Sequence, residues 1–477
     1  MSNKLEKENS EFLKFVKQTA HDAYIFGYPL VLMDVTKWSQ MYSGVHINTF
    51  FSEKNFPDPS FKNVVSPNVD TLYSNAWLDL SCGPIILNVP QITKRYYVME
   101  LLDAWTNVFA SIGTRTTGIG SGDFGIIGPN WNESYQETLP AFREHSVVRE
   151  YRSPTNMAWI IGRIHADYET KRHLVVNEYQ NQFKLKPLKN PPTCKKDYDN
   201  KPKHSPPEIV AKLDTQEFFN RLNMLMADNP PAPDDAIAMM RFKEIGIIPG
   251  IPFNLDNFPR EVKKAIECGV KEASDEICDF NLIPTKKPAK QTNFWSLPLE
   301  NVGRYGTEYL QRAIVAYLLL GGNLPEDAVY ANTRYDSEGE ILNGKNKYTI
   351  RFPKEKLPPV KAFWSLTMYN LKQQFVPNEI NRYALGSRDI ENVKPEDKLQ
   401  FNKDGSLTLY LQHERPLDSG KISNWLPTPK HEFGTMFLRM YWPLEEVLFG
   451  KWIPPAVNKV HEYDQIETQI KTLLSKL

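Results

Sequence analysis

Between Lys186 and Pro207 the chain becomes a run of Lys, Asn and Pro, and the spacing of its apolar residues changes on either side. From about residue 41 up to this stretch, apolar residues alternate with polar ones. After it, as far as Leu320, they recur every third or fourth residue, and from about residue 325 they alternate again. A strand shows one face at every second residue, whereas a helix shows it at every third or fourth. A chain that changes period twice cannot be one continuous layer, so the order predicts a β region, a helical insert and a second β region.

The periods divide the chain into an N-terminal helix (1–40), a first β region (41–185), a linker and helical insert (186–324), a second β region (325–457) and a C-terminal helix (458–477). Phe12, Val16, Ala20 and Tyr24 predict an amphipathic first helix that stops near Gly27 or Pro29 and packs on the first β region. Ala76 to Leu80, Ile85 to Val89, Tyr96 to Leu102, Val108 to Ile112 and Ala158 to Ile164 read as strands at the spacing of a sandwich, making residues 40–180 all-β. Ser205, Pro206, Pro207 and Glu208 form a capping box that opens a helix to about Ala227. Further helices are expected over Asp234 to Ile245, Val262 to Ile277 and Thr307 to Leu320. Asn343-Gly344 and Asp404-Gly405 sit between apolar runs as hairpin turns. With Phe363 to Tyr369 and Thr435 to Tyr441, they point to a jelly roll. Ile466, Ile470, Leu473 and Leu477 form an amphipathic face, with docking on the same chain favoured over a partner.

Composition removes several function classes. Lys plus Arg and Asp plus Glu each number 57 in the 477 residues, with no basic stripe, so binding to nucleic acid phosphates has no support. No apolar run nears the roughly 20 residues that span a bilayer, and the charged start MSNKLEKENSEF lacks a signal-peptide core. The expectation is a cytoplasmic protein with no membrane partner, or a virion component if the source is viral. Cys82, Cys194, Cys268 and Cys278 form no CxxC pair and read as reduced thiols.

Gly120, Gly122 and Gly125 spell a GxGxxG pattern, but Gly128-Pro129 follow where a dinucleotide motif needs a helix, so the stretch reads as a turn. Gly339 to Lys345 nearly spells a phosphate loop, but Asn346 replaces the Ser or Thr and a hairpin turn explains it better. His413-Glu414, His431-Glu432 and His461-Glu462 lack second ligands at helical spacing, so no metal is assigned. His165, Asp167 and His173 read as solvated groups near a domain edge.

The candidate site comes from polar residues embedded in aromatic ones. Asn68, Asp70 and Tyr73 precede one strand, Asp103, Trp105 and Asn107 follow another, and Arg115 lies just beyond. Loops at the ends of a β scaffold are the usual address of binding groups. Two facing carboxylates could share a proton or hold a divalent cation, and Arg115 could neutralise them or grip an anion. The competing reading is that the Asx residues cap turns and the aromatics fill the core. In the second β region, Asn378, Arg382, Arg439 and Tyr441 repeat the pattern, with cross-strand pairing by the two arginines as the structural alternative.

The segments SPNVDTLYSNAWLDLS, DAWTNVFASIGTRTTG, IGIIPGIPF, PPVKAFWSLTMYN, NWLPTP and LRMYWPLEEVLFGKWIPP, in this order, resemble a two-part family of unknown function found in bacteria, fungi and large DNA viruses. The resemblance covers residues from about 20 to 460. It implies an N-terminal immunoglobulin-like domain, a helical insert and a C-terminal jelly roll, and it implies no reaction. Against the bacterial relatives, many of which begin with an export signal, the expectation here is none, and the chain carries Asn130 where Gly is common and Arg351 where a His precedes Phe352.

Two function classes follow. In one, the chain is an enzyme acting on a small or sugar-like substrate between the β regions, with Asp70 or Asp103 as general base and Arg115 or Arg382 as electrostatic stabiliser. In the other it is a scaffold that binds a small molecule, a carbohydrate or another copy of itself without turnover. Convergence of Asp70, Asp103, Asn107 and Arg115 on one cavity would separate them.

Overall fold

A computed structural model describes residues 2–60, 66–131, 140, 142–166, 173–189, 202–278, 288–391, 397–431 and 434–461. It is a mainly β protein with two separate β regions and a helical insert. The first β region holds β1 (Phe51–Ser52), β2 (Thr71–Asp79), β3 (Ile85–Val89), β4 (Tyr97–Asp103), β5 (Val108–Gly113), β6 (Gly122–Ile127), β7 (Arg149–Arg152), β8 (Met157–His165) and β9 (Lys184–Pro187). They form two sheets, ordered β1-β2-β8-β4-β5 and β7-β6-β3-β9. Leu72, Met99 and Ile160 of the first sheet meet Ile85, Leu87 and Ile126 of the second in a shared core.

Two details correct the sequence reading of this region. The glycine-rich stretch is a strand where a turn was expected: Gly122 and Gly125 sit in β6, opposite Val89 and Ile86 of β3. A Cβ on Gly125 would lie 2.7 Å from the Phe142 ring, so glycine there makes room for a core aromatic. The region is also not all-β, because a helix, α2 (His173–Gln180), lies within it.

The first helix, α1 (Ser2–Tyr42), is the larger correction, since it runs straight through Gly27 and Pro29. Proline removes one backbone bond and strains the preceding turn, an effect worth about 3 kcal/mol in an exposed helix. Here residues 23–36 are buried on every side, so tertiary packing overrides the local penalty. Gly27 does not end the helix; it admits Leu222, whose methyl would stand 2.4 Å from an added Cβ. The helix is the axis of the insert, which comprises α3 (Pro206–Lys212), α4 (Thr215–Asp228), α5 (Ala236–Lys243), α6 (Arg260–Cys278) and α7 (Tyr309–Leu319). Phe26, Leu222, Phe242 and Ile266 share one core with Trp77 and Trp159 on the outer face of the first sheet.

The second β region contains β10 (Ala328–Thr333), β11 (Tyr348–Phe352), β12 (Val360–Met368), β13 (Ala384–Gly386), β14 (Leu407–Gln412), β15 (Trp425–Pro427), β16 (Met436–Pro443) and β17 (Val457–Lys459), with short helices α8 (Arg388–Glu391) and α9 (Glu445–Leu448). Its sheets are ordered β10-β16-β12-β13 and β15-β14-β11-β17. Asp404-Gly405 turns the chain back so that Phe401 bridges Leu407, with Gly405 at φ 79°. Asn343-Gly344 makes a turn but no hairpin, because β11 pairs with β14 and β17. Strand β17 also occupies the expected start of the C-terminal helix. The rest of that helix, with Asp167 and Cys194, falls outside the described residues. Among the described residues no helix is long and apolar enough to cross a membrane.

A polar layer between the two β regions

Strand alternation builds the candidate site. On β16, Met436, Leu438 and Met440 point into the core of the second β region, which leaves Phe437, Arg439 and Tyr441 on the other face. On β12, Trp364, Leu366 and Met368 take the core, and Phe363, Ser365 and Thr367 join the outer face. The register sets Tyr330 of β10 opposite Arg439, and Arg439 opposite Ser365, in one row across three strands. The first β region presents a matching face, where Tyr73 of β2 lies opposite Arg163 of β8 and Glu100 of β4 lies opposite Ser111 of β5. Val69, Tyr96 and Val98 pack against Tyr330, Phe363 and Tyr441, so the two faces meet in a buried layer.

Three ion pairs cross or line this layer. Arg388 Nη1 donates to Asp70 Oδ1 at 2.8 Å, while Ser365 Oγ donates to Oδ2 at 2.5 Å. Arg163 Nη1 donates to Glu100 Oε2 at 3.1 Å, and the Leu324 amide donates to Oε1 at 3.1 Å. Arg115 grips Asp327 with both arms, Nε to Oδ1 at 2.7 Å and Nη2 to Oδ2 at 2.8 Å, and Ser111 adds a bond to Oδ2 at 2.8 Å. Burial pushes the Glu100 carboxyl upward against the pull of Arg163.

A fourth guanidinium, Arg439, donates to Thr367 Oγ1 and, at 2.8 Å, to the Ser66 carbonyl. The rings of Phe437, Tyr369 and Tyr330 stand 5.2, 5.7 and 5.9 Å from its central carbon. Burial works against its charge, but the phenols and Asp70 outweigh that penalty and hold its pKa above the ordinary value. Tyr441 is fully buried and stacks on Phe363 at 4.2 Å, and its hydroxyl has no protein partner among the described residues. Burial, then the neighbouring Tyr330, Tyr73 and Asp70, push this phenol well above 10, so it stays a donor. Arg163 Nε and Asn323 Nδ2 are also buried without a partner among the described residues.

The other candidates do not converge here. Asp103 closes its own turn, with Oδ1 accepting from the Trp105 amide at 2.9 Å and the Asn107 amide at 2.8 Å. Burial pushes its carboxyl up to about 6 against those bonds. Trp105 packs on Phe26 at 4.8 Å and faces the buried Arg312 at 5.2 Å, on the side of the helical insert. Asn107 Oδ1 accepts from the Tyr305 amide at 3.4 Å. Asn378 bonds to both backbone groups of Arg382. Arg382 Nη1 donates to the Ile422 carbonyl at 2.7 Å and the Trp425 carbonyl at 3.1 Å, holding loops of the second β region. Asn68 Oδ1 accepts from the Asp70 and Thr71 amides, and its Nδ2 donates to Tyr73 Oη at 2.7 Å. The proposed group thus splits. Asp70, Tyr73, Arg439 and Tyr441 gather in the layer with Asn68 behind them, Arg115 lies at its Asp327 edge, and the rest lie elsewhere.

Sequence reasoning passed over Glu100, Arg163, Asp327, Tyr330 and Arg388. The available signal was charge at inward positions of apolar strands, as in YVMELLD and MAWIIGRIH. His165, read as a solvated group, stacks on Phe363 at 4.1 Å across the layer. Among the described residues no three His, Cys, Asp or Glu side chains gather as a metal site.

Both β regions match families of unknown function. Residues 47–187 match the family described as protein of unknown function DUF1254, and residues 327–445 match DUF1214. The polar layer lies where the two matched regions face each other. The chain is similar to the crystal structure of the VPA0106 protein from Vibrio parahaemolyticus, at 24% identity and TM-score 0.66 over 94% of this chain and 100% of that one. An uncharacterised protein from Burkholderia cenocepacia aligns at 12% identity and TM-score 0.44, over 94% of this chain and 96% of that one. No curated protein matches the chain. The Vibrio structure supports the two-region fold, and these likenesses bring no reaction with them.

Proposed function

We propose that this protein binds a small molecule in the layer between its two β regions, with Arg439, Tyr441, Tyr73 and Arg163 as the groups nearest the ligand. The observation that carries this reading is the hydroxyl of Tyr441, buried among Tyr73, Tyr330, Arg439 and Asp70 without a partner among the described residues. A buried polar group left unpaired costs about 1 to 3 kcal/mol, a cost a ligand would relieve. Binding without turnover fits better than acid-base catalysis. Asp70 is held by Arg388 and Ser365, and Asp103 by two amides, so neither offers an open carboxylate to a substrate. The immunoglobulin-like and jelly-roll descriptions belong to this proposal as the scaffold that brings the two faces together.

Native mass spectrometry of the purified chain tests the reading. A retained adduct that disappears on denaturation and is depleted in Tyr441→Phe supports it. A clean apo mass, with no small molecule shifting the melting temperature, overturns it.

A further inference from the structure

The layer is unbalanced in hydrogen bonding. Asp70, Glu100 and Asp327 pair with Arg388, Arg163 and Arg115, Arg388 also meets Asp389 at 3.7 Å, and Arg439 is bonded to a hydroxyl and a carbonyl instead of a carboxylate. Both oxygens of all three carboxylates already accept hydrogen bonds. Among the described residues, the leftovers around Tyr330 can all donate, Tyr441 Oη, Arg163 Nε and Asn323 Nδ2, while a leftover acceptor, Glu326 Oε2, lies at the Asp327 edge. Tyr330 links them, since its hydroxyl donates to Asn323 Oδ1 at 2.5 Å and its ring faces both Tyr441 and Arg439.

Ligand chemistry must match that surplus. A sugar hydroxyl brings a donor with every acceptor, and here its hydrogen would face carboxylates that are already engaged. An oxyanion brings acceptors and negative charge alone, and charge-assisted bonds to buried arginines are roughly twice as strong as neutral ones. We infer that the layer is a binding site for a small oxyanion, a carboxylate or a phosphate, anchored by Arg439 and oriented by donation from Tyr441, Asn323 and Arg163. The inference rests on the ligand-binding reading above and narrows its chemistry.

Thermal unfolding and calorimetric titration of the full chain test it, with succinate, inorganic phosphate and glucose as probes against chloride at matched ionic strength. The expected result is a saturable rise in melting temperature with succinate or phosphate and none with glucose, the stronger of the two naming the class of oxyanion. Tyr441→Phe should weaken that binding about tenfold, the loss of one hydrogen bond to a charged group. Asn323→Asp keeps the acceptor used by Tyr330, removes the donor and adds a negative charge, so it should abolish the rise. If that variant does not fold, Tyr441→Phe alone decides. Stabilisation by glucose without either anion overturns the oxyanion inference and leaves the binding reading standing. No effect of any probe, together with a clean apo mass, overturns both.

Discussion

Asp70 and Arg388, 318 residues apart in the chain, meet at 2.8 Å in the layer between the two β regions. Asp70 sits on the loop before β2 and Arg388 opens α8, so the contact joins the two matched regions directly. Both side chains are largely buried, and removing one partner leaves a charge in a poor solvent. Arg388→Met is expected to destabilise the protein by about 3 to 5 kcal/mol, and adding Asp70→Asn to restore part of the loss. Chemical denaturation followed by tryptophan fluorescence measures both; a double variant no better than the single one would show that the pair is not coupled.

Asp103 gives a pH signature. Its folded pKa is raised from 3.8 to about 6 by burial, so its contribution to stability is fully present below pH 3.8 and is lost as pH rises through about 6. The loss over that window is about 3 kcal/mol at 1.36 kcal/mol per unit. Asp103→Asn keeps an acceptor for the Trp105 and Asn107 amides and has nothing to titrate. The stability difference, variant minus wild type, should therefore grow between about pH 4 and pH 6. A flat difference in urea midpoints across that range would refute the assignment.

Two tyrosines in the layer should respond in opposite ways. Tyr330→Phe removes a hydroxyl bonded to Asn323 and is expected to cost about 1 kcal/mol, while Tyr441→Phe removes a hydroxyl with no partner among the described residues and should leave the dialysed protein at least as stable as wild type. Melting temperatures of the two variants compare them directly. A clear loss in Tyr441→Phe would show that its hydroxyl is satisfied within the protein.

Close packing of α1 on α6 depends on Gly269, where an added Cβ would lie 2.2 Å from the Lys17 carbonyl oxygen. Because the obstacle is backbone, the helices must move apart to accept it. Gly269→Ala is expected to cost about 1 to 3 kcal/mol despite alanine's better helix propensity, which denaturant unfolding would register.

The sequence by itself determined the order β region, helical insert, β region, because apolar period is a local property that survives without knowledge of partners. Ile85–Val89 is a strand as predicted, and the Asx residues of SPNVD and DAWTN cap turns within a few positions of themselves. The fate of α1 was not legible there. Gly27 and Pro29 are stop signals in isolation, and only the insert wrapped around residues 23–36 outweighs them. The same holds for the candidate site. Alternation shows that Arg439 and Tyr441 share a face, but not that Tyr73 and Arg163 lie across from it. Tertiary structure alone decided which buried charges found partners, because pairing depends on contacts between residues hundreds of positions apart. It left Arg439 without a carboxylate bond and Tyr441 without a partner, among the described residues, where the two β regions meet.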